Sequence, residues 1–114
     1  MLQEVTSKKF KKDVKKLNKQ RKDLTKLAEP LDKIKNGQPL DAKYEDHPLE
    51  GNKAGCRDCH IEPDWVLIYR VNIKEGKLYL LRTGSHSEVF KESFSSDLTI
   101  SQINEKLNKF LEDI

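Results

Sequence analysis

The sequence predicts an α+β domain: an antiparallel sheet carries an N-terminal helix pair on one face, in the order β-α-α-β-β-β, and a C-terminal helix follows. Apolar residues recur at helical spacing before residue 36 and again after residue 100. Between these segments, short apolar runs are separated by turn residues, which is typical of strands. The chain has 114 residues, enough for one modest core, so we expect a single domain.

The residue pattern of the N-terminal part predicts an edge strand followed by two helices. Residues 1–5 are assigned to the strand, and Ser7, or Thr6 before it, is a suitable helix N-cap. The apolar face of the first helix consists of Phe10, Val14 and Leu17. That of the second helix consists of Leu24, Leu27, Ala28, Leu31 and Ile34. Pro30 is expected to kink or split the second helix, and Asn36-Gly37 is a typical helix end.

The remainder predicts a loop, three strands and a final helix. Residues 38–54 are rich in turn formers and are assigned to a loop. Strands are expected at 55–61, 65–71 and 78–83, and the middle strand is apolar enough to be central. Residues 85–99 are polar. The apolar face of the C-terminal helix would consist of Ile100, Ile103, Leu107, Phe110, Leu111 and Ile114.

Positive charge is concentrated at the N-terminus. The net charge is +3, but residues 1–40 carry 12 Lys and Arg against five Asp and Glu. This distribution indicates either a face that meets a polyanion or a solvated lysine-rich helix face. No stretch of 18 apolar residues is present, and the first ten residues lack a signal-peptide core. We therefore expect a cytoplasmic protein without a membrane segment.

Two cysteines precede a histidine in the run Cys56-Arg57-Asp58-Cys59-His60, which matches c-type haem attachment. Such attachment requires export, for which no signal is present. On a strand, residues three apart point to opposite faces, so the two thiols cannot easily hold one metal ion. A redox pair needs its first cysteine at a helix N-terminus, and none is predicted here. We expect free thiols, with Cys59 in the core and no role for Cys56.

All three histidines fall at loop or strand ends, together with an aspartate and an arginine. A turn at 62–64 brings His60 near Asp64, and an antiparallel third strand returns Arg82 and His86 to the same edge. His47 lies in the preceding loop. Such a set of side chains suits phosphodiester cleavage, because histidine serves as general acid or base and arginine stabilises the phosphate. The alternative for each histidine is an ordinary surface or hydrogen-bonding role.

Three runs of residues resemble the YafQ branch of the RelE toxin superfamily. They are YEDHPL at 44–49, GCRDCHIEPDWVLIY at 55–69 and LRTGSH at 81–86, followed by Phe90. The resemblance covers residues 1–90 and implies a RelE-like toxin domain there, with residues 91–114 as an extension whose helix belongs to the same globular unit or docks on it. It further implies an mRNA endoribonuclease that acts in the ribosomal A site and is blocked by a cognate antitoxin in a hetero-oligomer.

The resemblance also implies roles for individual residues, without metal or other cofactor. His86 would be the general acid, and the base would be His60, Asp64 or His47. Arg82 would stabilise the phosphate. Trp65 and Phe90 would position or stack bases, the alternatives being core packing for Trp65 and a hydrophobic anchor for Phe90.

The basic helix pair would contact ribosomal RNA phosphates under this interpretation, and binding should weaken steeply with salt. The residues expected at that contact are Lys8, Lys9, Lys11, Lys12, Lys15, Lys16, Lys19, Arg21 and Lys22. Cleavage would proceed by attack of the ribose 2′-OH, leaving a 2′,3′-cyclic phosphate and a 5′-hydroxyl. The competing hypothesis is a non-catalytic protein that binds RNA or the ribosome and stalls translation; it needs the lysines but not the histidines.

Overall fold

The computed structural model describes residues 1–91 and confirms the α+β class. The elements in chain order are β1 (Gln3–Thr6), α1 (Lys8–Lys19), a 3₁₀ helix (Leu24–Leu27), α2 (Ala28–Lys35), β2 (His47–Pro48), β3 (Arg57–Glu62), β4 (Trp65–Asn72), β5 (Lys77–Gly84) and α3 (His86–Lys91). The predicted helix after residue 100 and nearly all of the 91–114 extension lie outside the described residues. Within the described part, no helix is long and apolar enough to cross a membrane.

The sheet is mixed, which corrects the expectation of a purely antiparallel one. Its strand order is β1-β5-β4-β3-β2, and the three pairs from β5 to β2 are antiparallel. β1 instead pairs in parallel with β5, with Val5 opposite Tyr79. α1 and α2 connect β1, at one edge of the sheet, to β2 at the opposite edge. The three following strands then return toward β1, so the last strand, β5, pairs with it. β2 is also new, since a loop was predicted there.

Both faces of the sheet are covered. This follows from β4, in which the consecutive residues Trp65–Tyr69 are all buried. One face packs against α1 and α2, and the other packs against α3. Residues of β4 alternate between the two cores: Trp65 and Leu67 lie on the helix-pair side, whereas Val66 and Ile68 lie on the α3 side. Burial on both faces explains why β4 is uniformly apolar and central.

The two cysteines are free thiols on opposite faces of the sheet. Cys59 is fully buried in the core under the helix pair, and this burial raises its pKa to about 12. Cys56 is buried in the second core, which corrects the expectation that it has no structural role. Each thiol is therefore a small apolar filler of a different core, and neither is set up as a reactive thiolate.

Pro30 lies in the first turn of α2, where a missing backbone N–H breaks no helical hydrogen bond. The preceding turn, Leu24–Leu27, is a 3₁₀ helix capped by the Asp23 carboxylate, which accepts from the amide of Thr25 at 3.1 Å. The second predicted helix is thus split, as the proline indicated. Gly37, at φ +69°, ends α2 as predicted.

The end of α1 has the geometry that favours glycine, with an arginine in its place. Arg21 has φ +60°; its amide donates to Asn18 O, and the amide of Lys22 donates to Leu17 O. A side chain in this left-handed conformation is strained. We expect Arg21→Gly to raise the free energy of unfolding by about 0.5–1 kcal/mol, measured by urea denaturation. Arg21→Ala, which removes the charge but keeps the strain, should give no gain; equal gains would disprove this cause.

Candidate active site

Five elements meet at one end of the sheet, and three of them carry the histidines. β3 ends near His60, β4 starts after Asp64, and β5 runs antiparallel to β4 and leads into His86 at the start of α3. β2 adds His47, which pairs opposite Asp58 of β3. The expectation that the histidines and Asp64 gather at one edge therefore agrees with their placement.

The imidazole rings form a row that ends on a phenyl ring. The ring centroids of His47 and His60 are 6.4 Å apart, those of His60 and His86 are 5.0 Å apart, and His86 stacks on Phe90 at 5.8 Å. His60 is the least exposed ring, at 21%, whereas His86 is 44% exposed. Two adjacent, partly exposed imidazoles can supply one proton donor and one proton acceptor to a bound group.

A buried carboxylate, Asp58, lies beneath this row. Its side chain is 3% exposed, and its Oδ1 is 3.1 Å from His47 Nε2, although Oδ1 makes no hydrogen bond among the described residues. Burial raises the pKa of Asp58, and the neighbouring His47, His60 and His86 oppose that rise. The three rings therefore face a buried carboxylate that can hold them in place.

Exposed carboxylates flank the row at both sides. His86 Nδ1 is 3.9 Å from Asp64 Oδ1, and His60 Nδ1 is 3.3 Å from Glu45 Oε2. His47 Nδ1 contacts the backbone oxygen of Glu45 at 2.7 Å. Each imidazole therefore has an acidic or carbonyl oxygen beside one nitrogen, which can fix its orientation and tautomer.

A side-chain network anchors the segment that carries His47. Asp46 accepts hydrogen bonds from the Tyr69 hydroxyl at 2.6 Å and from Arg57 Nε at 3.2 Å. Burial, followed by the hydrogen bond to Asp46, raises the pKa of Tyr69, so its hydroxyl remains a donor. Asp46 precedes His47 directly, so this network fixes the position of β2 against β3.

The turn before His86 requires glycine and is capped by serine. Gly84 has φ +143°, which L side chains rarely adopt, and an added Cβ would meet Val89 at 3.6 Å. Ser85 Oγ accepts from the amide of Glu88 at 3.4 Å, as an N-cap does. The run Arg-Thr-Gly-Ser-His thus ends β5, turns the chain sharply and starts α3 with the imidazole at its first position.

Arg82 is held by an aspartate of α1. Its Nε and Nη2 donate to Asp13 at 2.7 and 3.2 Å, and the amide of Thr83 also donates to Asp13, at 3.1 Å. Both side chains of the ion pair are 12% exposed. A bidentate pair at this burial fixes the guanidinium in one orientation.

We expect Asp13→Ala to lower the free energy of unfolding by about 2–3 kcal/mol, because Arg82 loses its bidentate partner and the amide of Thr83 loses its acceptor. The midpoint of urea denaturation measures this effect. Glu88→Ala is the matched control, since it removes an ion pair to Lys16 whose side chains are 55% and 41% exposed, and should cost no more than about 1 kcal/mol. Equal losses in the two variants would contradict the role given to Asp13.

The two aromatic residues expected to contact bases have different placements. Trp65 is 1% exposed in the core under the helix pair, and its indole N–H donates to Thr83 Oγ1 at 2.8 Å. This placement favours the alternative of core packing, in which Trp65 ties β4 to β5. Phe90 is partly buried against the second core and stacks on His86, beside the histidine row.

The basic residues predicted to meet ribosomal RNA are all exposed. Lys16 also forms an ion pair with Glu88 of α3 at 2.8 Å, and Lys22 forms one with Glu62 of β3 at 3.2 Å. The N-cap of α1 is Ser7, as predicted, and its buried Phe10 and Leu17 turn the lysines outward.

Sequence reasoning did not select Asp58, Asp46 or Asp13. Asp58 could have been found, because it lies two residues before His60 and strand periodicity places both on one face. Asp46 and Asp13 act across distances of 23 and 69 residues in the chain, to Tyr69 and Arg82, and no local pattern signals such contacts.

Three side chains of the site are spaced for a metal ion. Asp58, His60 and His86 each place one ligand atom within 4.8 Å of the others. Two imidazole nitrogens and one carboxylate oxygen suit copper(II) or zinc(II). The donor set therefore fits a transition metal, although the sequence indicated none.

Comparison with known proteins identifies relatives over the described part of the chain. Residues 2–91 match the family described as "Bacterial toxin of type II toxin-antitoxin system, YafQ". The mRNA interferase toxin YafQ of Escherichia coli K12 is 46% identical over 82 residues, which cover 71% of this chain and 87% of that protein.

Solved structures agree with this assignment. A copper-bound mutant toxin from Helicobacter pylori is 41% identical with a TM-score of 0.75, and the match covers 79% of this chain and all of that one. YafQ in the DinJ–YafQ toxin–antitoxin complex of E. coli is 41% identical with a TM-score of 0.70, over 78% of this chain and 97% of that one. The family match covers residues 2–91, and the chain belongs to the YafQ family of type II toxin–antitoxin toxins.

Proposed function

We propose that this protein is an mRNA endoribonuclease that cleaves by acid–base catalysis, with the ribose 2′-OH as nucleophile. The observation that carries the proposal is the row of three imidazoles with Asp58 beneath it and Asp64 beside it. The related E. coli protein is named an mRNA interferase toxin, which supports RNA as the substrate. The products would be a 2′,3′-cyclic phosphate and a 5′-hydroxyl.

His86 is the proposed general acid and His60 the proposed base. Their ring centroids are 5.0 Å apart, which lets the two rings serve the same phosphodiester. Asp64 is 81% exposed and lies 3.9 Å from His86, so it orients that ring and is a weaker candidate for the base. His47, beside Asp58, would assist by binding the phosphate, and Phe90 would position a base.

Arg82 is the proposed phosphate-stabilising cation, with Asp13 as the residue that positions it. The bidentate contact with Asp13 fixes the guanidinium, and a fixed cation stabilises developing charge without having to reorganise during the reaction. This role depends on the same ion pair that stabilises the end of β5.

Cleavage is proposed to occur on the ribosome, in the A site. The exposed lysines of α1 support this, because they form one basic face that fits a phosphate backbone. The proposed second partner is a cognate antitoxin that forms a hetero-oligomer with this chain. The DinJ–YafQ toxin–antitoxin complex of E. coli supports this partner, since its YafQ subunit is the 41% identical relative described above.

Primer extension on a message tests the proposal. With ribosomes translating, the protein should produce new 5′ ends, and omission of ribosomes should abolish them. Arrested translation without new ends would instead establish the non-catalytic inhibitor. Ends produced equally without ribosomes would refute ribosome dependence while leaving the nuclease intact.

Copper(II) should bind at Asp58, His60 and His86 and inhibit cleavage, because ligation occupies the imidazole nitrogens that transfer protons. The copper-bound H. pylori relative motivates the choice of metal. Binding is followed by the visible absorbance of the protein, and the cleavage rate is measured before and after a slight excess of EDTA over copper. Inhibition reversed by EDTA supports a metal-free mechanism, whereas activation by copper would contradict it.

A further inference from the structure

A groove of about 810 Å³ lies beside the histidine row, between the 3₁₀ helix with α2 and the β3–β4 hairpin. Its size is that of a small-ligand site. His60 and Glu45 line both the groove and the row, so the groove opens directly onto the candidate active site. No role assigned above uses the rest of this surface.

Glu62 and Lys26 line the groove, and Glu62 forms ion pairs with both Lys26 and the neighbouring Lys22. Lys22 and Lys26 donate to the two oxygens of Glu62, at 3.2 and 2.6 Å, and both lysine side chains are more than 40% exposed. The hydrogen bonds from Lys26 and Lys22 lower the pKa of Glu62, so it carries its negative charge. Exposed pairs of this kind are weak, so a phosphate that offers more charge and more acceptors can replace Glu62.

The rest of the wall combines apolar surface with hydrogen-bond acceptors. Tyr44, Ile61 and Pro63 supply apolar surface, Glu29 and Glu45 supply carboxylates, and Thr25 and Lys43 complete the lining. Burial raises the pKa of Tyr44 to about 12, so its hydroxyl stays protonated and donates to Glu29 at 3.0 Å. Carboxylates accept from amino groups, which adenine, cytosine and guanine carry and uracil lacks.

We propose that this groove binds the nucleotide next to the cleaved bond. Lys22 and Lys26 hold its phosphate in exchange for Glu62, and the acceptor-rich wall selects a base with an amino group. The proposal rests on the proposed function in one respect, that the nucleotide belongs to RNA cut at the histidine row.

Two variants should act in opposite directions if this exchange occurs. Lys26→Ala removes a phosphate partner and should weaken binding of adenosine 5′-monophosphate by about fivefold. Glu62→Gln removes the competing carboxylate and should strengthen binding severalfold. Lys35→Ala, whose ion pair with Glu4 lies outside the groove, should leave binding unchanged. A merely structural role for these residues would weaken binding in both groove variants.

The measurement is an NMR titration of the full chain with adenosine 5′-monophosphate and, separately, uridine 5′-monophosphate, without ribosomes. Amide shifts should map to Thr25, Lys26 and Glu62, and the adenosine nucleotide should bind at least about threefold more tightly. Equal affinities, shifts confined to the histidine row, or weaker binding in Glu62→Gln would overturn the proposal.

Failure here is distinguishable from failure of the proposed function. His86→Ala should still bind adenosine 5′-monophosphate even though its cleavage is lost. Conversely, a wild-type protein that cleaves translated mRNA but shows no groove shifts with either nucleotide would retain the nuclease function and refute the groove.

Discussion

Cleavage of a translated message should fall by about 10²–10⁴-fold in His86→Ala, because the leaving oxygen loses its proton donor. The ring is 44% exposed and contacts the rings of His60 and Phe90, neither of which is fully buried, so its removal leaves both cores intact. The thermal midpoint of unfolding should therefore stay close to that of the wild type. Loss of activity with an unchanged fold separates a chemical role from a structural one.

Single-turnover primer extension measures this effect, with ribosomes in excess and the variant at known concentration. Ser87→Ala is the matched control, since it changes the next residue of α3 and should cleave at the wild-type rate. If His86→Ala cleaved as fast as the wild type, His86 would not be the acid, and the assignment would pass to His60 or His47.

Asp58→Asn should lower cleavage by about 10²-fold while making the protein more stable. The loss of activity follows from the position of the carboxylate 3.1 Å from His47, under the histidine row. The amide lacks the charge that faces the three rings, so they lose the buried partner that positions them. A variant that merely disturbed the fold would lose stability together with activity.

The gain in stability follows from the sign of the pKa shift. Burial raises the pKa of Asp58 above 3.8, so the folded protein binds its proton more readily than the unfolded chain does. The cost of the buried charge is present in full above the folded pKa and disappears as the pH falls through it. Asp58→Asn should therefore stabilise by roughly 1–2 kcal/mol near neutral pH, and urea denaturation should show less gain toward pH 4. A loss of stability at neutral pH would contradict this account.

Local sequence patterns were sufficient to predict most helices and strands of the fold. Apolar spacing located α1, β4 and β5 to within one or two residues, and Asn36-Gly37 marked the end of α2. The approach of His60 to His86 followed from antiparallel pairing alone, whereas a loop was predicted around His47. These features depend on neighbours in the chain, which composition and spacing report directly.

Features that depend on distant contacts could not be predicted. The parallel pairing of β1 with β5 joins Val5 to Tyr79, and no local signal specifies it. Trp65 was assigned to the substrate because family resemblance does not distinguish a buried indole from an exposed one. In the sequence, Asp13 is one acid among the lysines of a surface helix, and only the structure shows it against Arg82.

The contacts of α1 with β5 have a consequence for solubility. β1 pairs only with Lys77–Leu80, so the outer side of β5 beyond Leu80 would otherwise present bare backbone groups. Ser7 Oγ donates to the carbonyl of Leu81 at 2.8 Å, and Asp13 accepts from the amide of Thr83. The side chains of Asp13 in α1 and of Ser7, its N-cap, thus occupy positions that a strand of another molecule would take. α1, which presents the lysines, therefore also prevents edge-to-edge aggregation through β5.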